Sequence, residues 1–244
     1  MKNILILLLF TTSLLAQLKP IEVTLNSITH DDSNPKKRTY FITYQIENKT
    51  NNAISFFLTP NTLIANAASS MTLFPIYKIY INSEFTPLDG PFFEKYGIDW
   101  ESFLKKNEGL DKKSLQKLAE ETLADYKKAN QVIIDNYKNN GGVITEDHWI
   151  LENDNLMKSK INLNPNEIKT LVIKTSWNKD RYFKQDDLEY YLDEKDKYEF
   201  ELILDLKKTA FKSQLSNDEF DTIEKDKNFI EGIFTSNRIE INFK

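Results

Sequence analysis

The 244-residue chain has no cysteine. That absence removes disulfides, thiolate metal centres and a cysteine nucleophile together. It also argues against a lipoprotein, which needs a cysteine at its cleavage point. Glycine is scarce, with six residues. The phosphate-cradling patterns GxGxxG and GxxxxGK[ST] are missing, and so is the GxSxG turn that presents a catalytic serine. With only two histidines, no HExxH or HxxxH metal spacing exists. Lys and Arg number 32 against 37 Asp and Glu, for a net charge of −5. That balance disfavours phosphate backbones and anionic membrane surfaces, both of which recruit positive charge.

What is present begins with "MKNILILLLFTTSLLAQ". Lys2 forms a short positive region, Ile4 to Phe10 is an unbroken apolar run, and small and polar residues lead to Ala16. This layout predicts a signal peptide over 1–16. A membrane anchor is the rival reading, but a spanning helix needs about 20 apolar residues. The mature chain, 17–244, then has 228 residues (244 minus 16). No later run reaches membrane-spanning length, so no transmembrane helix is expected after cleavage. Export without disulfides points to a bacterial envelope, the periplasm first and the exterior second.

Period-two alternation dominates both ends of the mature chain. In "TYFITYQIENKTNNAISFFLTPN", Tyr40, Ile42, Tyr44 and Ile46 fall on one side of a strand. The asparagine-rich Asn48–Asn52 predicts a tight turn, with "AISFFL" returning as the second arm of a hairpin. Ile21–Ile28 and Met71–Ile81 also read as strands, Pro75 marking an edge or a bulge. "SKINLNPNEIKTLVIKTSW" predicts two strands around Asn164–Glu167. Tyr198, Phe200, Leu202, Leu204 and Leu206 share one face of another strand, and Ile239, Ile241 and Phe243 one face of the last. Seven or more short strands predict a mainly β, antiparallel β-sandwich.

The middle has helical spacing instead. "IDWESFLKKN" predicts a helix capped by Asp99, with Ile98 and Phe103 as a staple. A longer helix follows, with Leu115, Leu118, Thr122, Tyr126, Ile133 and Tyr137 on its stripe and Gly141–Gly142 as its stop. A short helix is expected from Ser216, with Glu219 in capping-box position and Phe220 and Ile223 inward. The expected architecture is one sandwich domain over 17–244 with a helical insertion at about 91–141, the long helix packing on the sandwich. The alternative is an α+β arrangement of two small domains.

Candidate chemistry is sparse. His148, in "TEDHWILEND", stands beside Glu146, Asp147 and Glu152. His148 with Asp147 could form a general base steered by a carboxylate, or a metal site. The plainer reading is a polar loop entering a strand at Trp149. His30 lies in "THDDSN", read as an acidic turn. Asp186 and Asp187, in the acidic run Lys184–Glu201, offer the oxygen ligands calcium prefers, though without the spacing of the twelve-residue calcium loop. A solvated loop before a strand is the plainer reading of that run, since charge runs usually are that. Two carboxylates of a glycosidase are compatible with so many Asp and Glu, but unspecific. Trp100, Trp149 and Trp177 suit a glycan-stacking platform, a protein-binding patch or a core. Trp177, ending a strand behind Leu171, Ile173 and Thr175, is expected to be buried.

The Lys-Asn start, the Ala-Gln junction and the Asn/Lys/Ile-rich body resemble exported proteins of Bacteroidota. "ITYQIENKTNNAISFFL" followed by "LNPNEIKTLVI" is similar to their immunoglobulin-like β-sandwich proteins. The resemblance implies an immunoglobulin-like fold and carries no functional residue. A sandwich without a catalytic motif leads to the expectation of an exported non-enzymatic binding or assembly module of the envelope. Its partner would be an envelope protein or glycan, with no nucleic acid and no required cofactor, calcium excepted. The alternative is a periplasmic hydrolase, glycan-directed, with its site at the junction of insertion and sandwich.

Overall fold

The fold is that of a computed structural model, which describes residues 19–65, 73–86, 103–104, 106–178 and 196–243. In chain order its strands are β1 (Ile21–Asn34), β2 (Lys37–Asn48), β3 (Ile54–Phe57), β4 (Ile64–Ala65), β5 (Ile76–Ile81) and β6 (Glu84–Thr86). Helices α1 (Lys112–Asn139) and α2 (Asp147–Lys158) follow, then β7 (Lys160–Leu163), β8 (Ile168–Asn178) and β9 (Tyr198–Leu206). A 3-10 helix (Thr209–Gln214), α3 (Asn217–Lys225), β10 (Gly232–Thr235) and β11 (Ile239–Glu240) complete the chain. The protein is mainly β, built from antiparallel sheets with helices.

The alternating stripe of β2 is buried as its spacing dictates: Tyr40, Ile42, Tyr44 and Ile46 are wholly covered. β2 lies between β1 and β8 in a three-stranded sheet. The expected acidic turn at His30 is instead the far half of β1, where His30 is in register with Tyr40. The chain reverses at Pro35–Lys36, and the Lys36 N–H donates to Asn34 Oδ1 at 2.9 Å.

The expected hairpin between β2 and "AISFFL" does not form. β3 pairs with β7, and β2 pairs with β8. The two antiparallel partners therefore bend together, one at Asn48 and the other at Asn164–Glu167. Asn48 explains the bend, because its buried amide bonds both chains at once. Nδ2 donates to Asn52 O at 2.8 Å and to Asn164 O at 2.8 Å, while Oδ1 accepts from Thr50 N at 2.9 Å. Facing it, Asn164–Glu167 closes as the expected turn, with Asn166 at φ 58°.

The second sheet runs β10-β9-β5-β4, with β11 also on β9 and β6 on β5. β4 and β5 pair parallel, the exception among its antiparallel ladders. Pro75 marks neither edge nor bulge: it directly precedes β5, which lies inside the sheet, so its missing N–H removes no ladder bond. The expected stripe of β9 is buried from Tyr198 to Leu206. Ile42 and Ile46 of the first sheet, Phe200 and Leu204 of the second, and Phe56 and Leu163 of the bent pair belong to one apolar cluster.

A second cluster joins Phe57, Leu156, Phe211, Phe220, Ile223 and Phe229. It is organised by α3, whose Ser216 and Glu219 form the expected capping box. α1 starts at Asp111, which accepts from Lys113 N and Ser114 N, and ends before Gly141 at φ 84°. Its expected seat on the sandwich is not seen. Among the described residues its main neighbour is α2, its one buried side chain is Ile134, and Tyr126 and Val132 are each 52% exposed. Phe103 and Leu104 are helical, while the expected Asp99 cap and Ile98 staple lie outside the described residues. No helix among the described residues is long and apolar enough to cross a membrane.

Candidate functional site

The sequence places its chemistry on histidines and carboxylates, and the structure keeps these apart. His148 does not lie in a loop leading to a strand; it is the second residue of α2. Its imidazole is 86% exposed, with Nε2 3.2 Å from Glu152 Oε1 one helical turn away. Asp147 turns instead to Lys138 Nζ, which donates to it at 2.8 Å. A proton held by His148 therefore meets solvent and a single exposed carboxylate. His30 has a different neighbourhood, 3.6 Å from Asp32 and 6.2 Å in ring separation from Tyr40. The calcium candidates Asp186 and Asp187 lie outside the described residues. Among the described residues no group of three or more His, Asp or Glu is arranged to hold a metal ion.

Trp149 is an anchor, not a platform. Its Nε1 donates to Ser213 O at 2.8 Å, and its ring meets Tyr137 edge-on. It thereby fastens α2 to the 3-10 helix and to α1. Trp100 and the Trp177 side chain lie outside the described residues.

Two buried polar clusters escape local sequence reading. In one, Arg38 is 4% exposed and grips Asp32 through Nε at 2.7 Å and Nη2 at 2.5 Å. Its Nη1 donates to Asn242 O at 2.9 Å, and the Tyr40 hydroxyl donates to the same carbonyl at 2.6 Å. The Asp32 bond, more than the opposing burial, raises the affinity of Arg38 for its proton. Burial pushes the Tyr40 phenol up to about 12, with Arg38 pulling the other way. In the other cluster the Tyr80 hydroxyl donates to Glu201 Oε2 at 2.6 Å, and Arg238 lies over the Tyr80 ring at 3.5 Å. Burial first, and Glu201 second, raise the Tyr80 phenol. In both clusters the polar groups are committed to one another, as in a structural tie.

A concave feature lies between the two sheets' margins. A groove of about 520 Å³ separates β1 from the β10 end, lined by Ile21, Val23, Lys49, Phe234, Thr235 and Asn237 among others. β1 is the outer strand of its sheet and β10 ends the order of its own. Along β1 the direction of the backbone groups follows from two bonds. Pro20 O accepts from Lys49 N, on the β2 side, whereas Leu25 N donates to Asn237 Oδ1 on the opposite side at 2.8 Å. Antiparallel ladders alternate, and the register runs unbroken from Ile21 to Leu25. Ile21, Val23 and Leu25 therefore point their N–H and C=O toward the groove. Asn237 Nδ2 also donates back to Leu25 O at 3.2 Å, so one side-chain amide satisfies both groups of that residue.

Two further polar groups of the groove are already engaged by neighbours. Ser236 Oγ accepts from Leu202 N and donates to Asn237 O, which occupies the hydroxyl. Lys49 lies between Glu47 and Glu22, at 3.0 and 3.3 Å, and these carboxylates, Glu47 foremost, hold its ammonium in the charged form. Comparison with protein-family models, with curated proteins and with solved structures finds no match for this chain.

Proposed function

We infer that this chain is an exported, non-enzymatic binding or assembly module of the bacterial envelope, an immunoglobulin-like sandwich holding its partner in the β1–β10 groove. The observation that carries the reading is an open groove beside a strand edge whose outward backbone groups are already engaged once, by the Asn237 amide. The leader-like residues 1–16 support export, with the periplasm as destination. The apolar cluster shared by both sheets supports the sandwich. The geometry favours this over a hydrolase built on His148, whose imidazole stands in solvent beside one carboxylate.

The test is photo-crosslinking in the bacterium that makes the protein. A photoreactive residue replaces Thr235 in the groove, or Val172 on exposed β8 as a control. Discrete adducts from position 235 alone, in an envelope fraction containing the chain without residues 1–16, are the expected result. Identical patterns from both positions, or a chain retained in the cytoplasm, would remove the reading.

A further inference from the structure

We propose that the exposed face of α1 docks on the same face of a second copy of this chain, with the two helices antiparallel. The proposal leaves the groove open and does not depend on it. Of the eleven large apolar side chains exposed among the described residues, six fall between positions 104 and 143, on or around α1. Exposed apolar surface gathered in one region marks an interaction site. α1 runs for 28 residues, a length of about 42 Å. Its C-terminal end meets α2, where Tyr137 packs on Trp149 beside the buried Ile134. Toward the middle the same face continues through Ala119, Leu123, Tyr126, Asn130 and Ile133, at alternating spacings of four and three. Here Leu123 is 41% exposed and Tyr126 52%.

That alternation is the seam of paired helices, and the charges beside it show what it pairs with. Glu120 and Lys127 each directly follow a seam residue, seven positions apart, so they stand on one flank. When two copies pair antiparallel about a two-fold axis, like flanks meet. With the axis level with Ala124, Glu120 of each copy comes within one residue of Lys127 of the other. Tyr126 comes within one residue of Leu123 of the second copy, and Leu115 lies level with its Ile133. A parallel pair would instead set Glu120 against Glu120 and Lys127 against Lys127. Within α1 itself Lys127 has no acid to pair with, because Leu123, Ala124, Asn130 and Gln131 occupy the positions three and four away. Burying the seam supplies the affinity, while the charges set direction and register, as exposed ion pairs add little energy. Asn130, near Ala119 of the second copy, keeps one layer polar and holds the dimer to moderate strength.

The experiment is sedimentation equilibrium of the chain without residues 1–16 over a concentration series. Wild type should dimerise. Glu120→Lys and Lys127→Glu each set like charges against one another across the axis, and each should weaken the dimer about tenfold or more. An equimolar mixture of the two variants should restore it, and so should both changes in one chain. Both positions are exposed, so the charge variants keep the fold. Tyr126→Asp should abolish dimerisation while leaving the monomer's melting temperature and circular dichroism unchanged. Amide exchange over residues 115–129, fast in the dilute monomer, should slow as concentration rises, whereas that of β8 should not. A wild type that stays monomeric at every concentration would overturn the proposal. A dimer that ignores the charge reversals, or that mixing fails to restore, would overturn it equally, because its contact then lies on another surface. Crosslinks from position 235 report on the groove alone, so the binding reading stands or falls separately.

Discussion

Tyr40 shows how one buried hydroxyl makes stability depend on pH. Its phenol lies in the apolar cluster, donates to Asn242 O at 2.6 Å and is pushed up to about 12 by burial, against an ordinary value of 10.0. Below pH 10 folded and unfolded chains both keep the proton, and the contribution is whole. As the pH rises from 10 toward 12 the unfolded chain releases a proton that the folded chain retains, so stability falls. The full span is worth about 2–3 kcal/mol, at about 1.4 kcal/mol per pH unit. Burial raises the Tyr44 phenol in the same direction, with its hydroxyl donating to Pro60 O at 2.9 Å. Urea midpoints from about pH 9 to about pH 12 should therefore fall more steeply for wild type than for Tyr40→Phe. Parallel curves would show that the Tyr40 proton is not what alkali attacks.

At the scale of elements, the bend shared by β2–β3 and β7–β8 depends on Asn48. Its side chain is fully buried and binds both partners of the bent pair. Asn48→Ala strips donors and acceptor together and leaves carbonyls of Asn52, Leu163 and Asn164 short of a partner. The expected loss is about 3–5 kcal/mol, with Asn164→Ala on the exposed side of the turn losing about 1. Equal urea midpoints for the two variants would place the bend's origin elsewhere. The same element shows what sequence can convey. Its alternating face was legible because period two is local, and so was the turn at Pro165–Asn166. Its pairing was not, because an asparagine run suits a tight turn and a buried corner alike. α2 was hidden for a related reason. Its buried positions are Ile150, Asn153 and Leu156, and the middle one is polar. Asn153 Nδ2 donates to Gln214 O at 2.8 Å and to Glu219 Oε2 at 2.9 Å, partners that appear only once the chain has folded. Without an apolar residue at that position, the helical stripe is broken in the sequence and "WIL" reads as a strand.

For the whole molecule, the groove was illegible because its defining contact, Leu25 to Asn237, spans 212 positions. No local pattern contains it, whereas the histidines that did stand out in the sequence fell into separate exposed settings. Long range governs cohesion as well. Both sheets contribute to one apolar cluster, so Ile42 on β2 and Leu202 on β9 report on the same interior. Ile42→Ala and Leu202→Ala should each lose about 2–5 kcal/mol, and each should lower a single transition seen by probes in both sheets. α1 is the exception that tests this. Leu123 is 41% exposed and Ile134 is 5% exposed, so only the C-terminal half of the helix is held by packing. Helices lacking a buried face open locally at lower free energy than core strands. Native-state hydrogen exchange should therefore find residues 115–129 opening well below the global value, unaffected by Leu202→Ala. The amides of β2 and β9 should exchange only through global unfolding and weaken together with that variant. Two separate transitions for the sheets would mean that the shared cluster does not bind them into one cooperative unit, and an α1 as protected as β2 would mean that the helix opens with the core and not on its own.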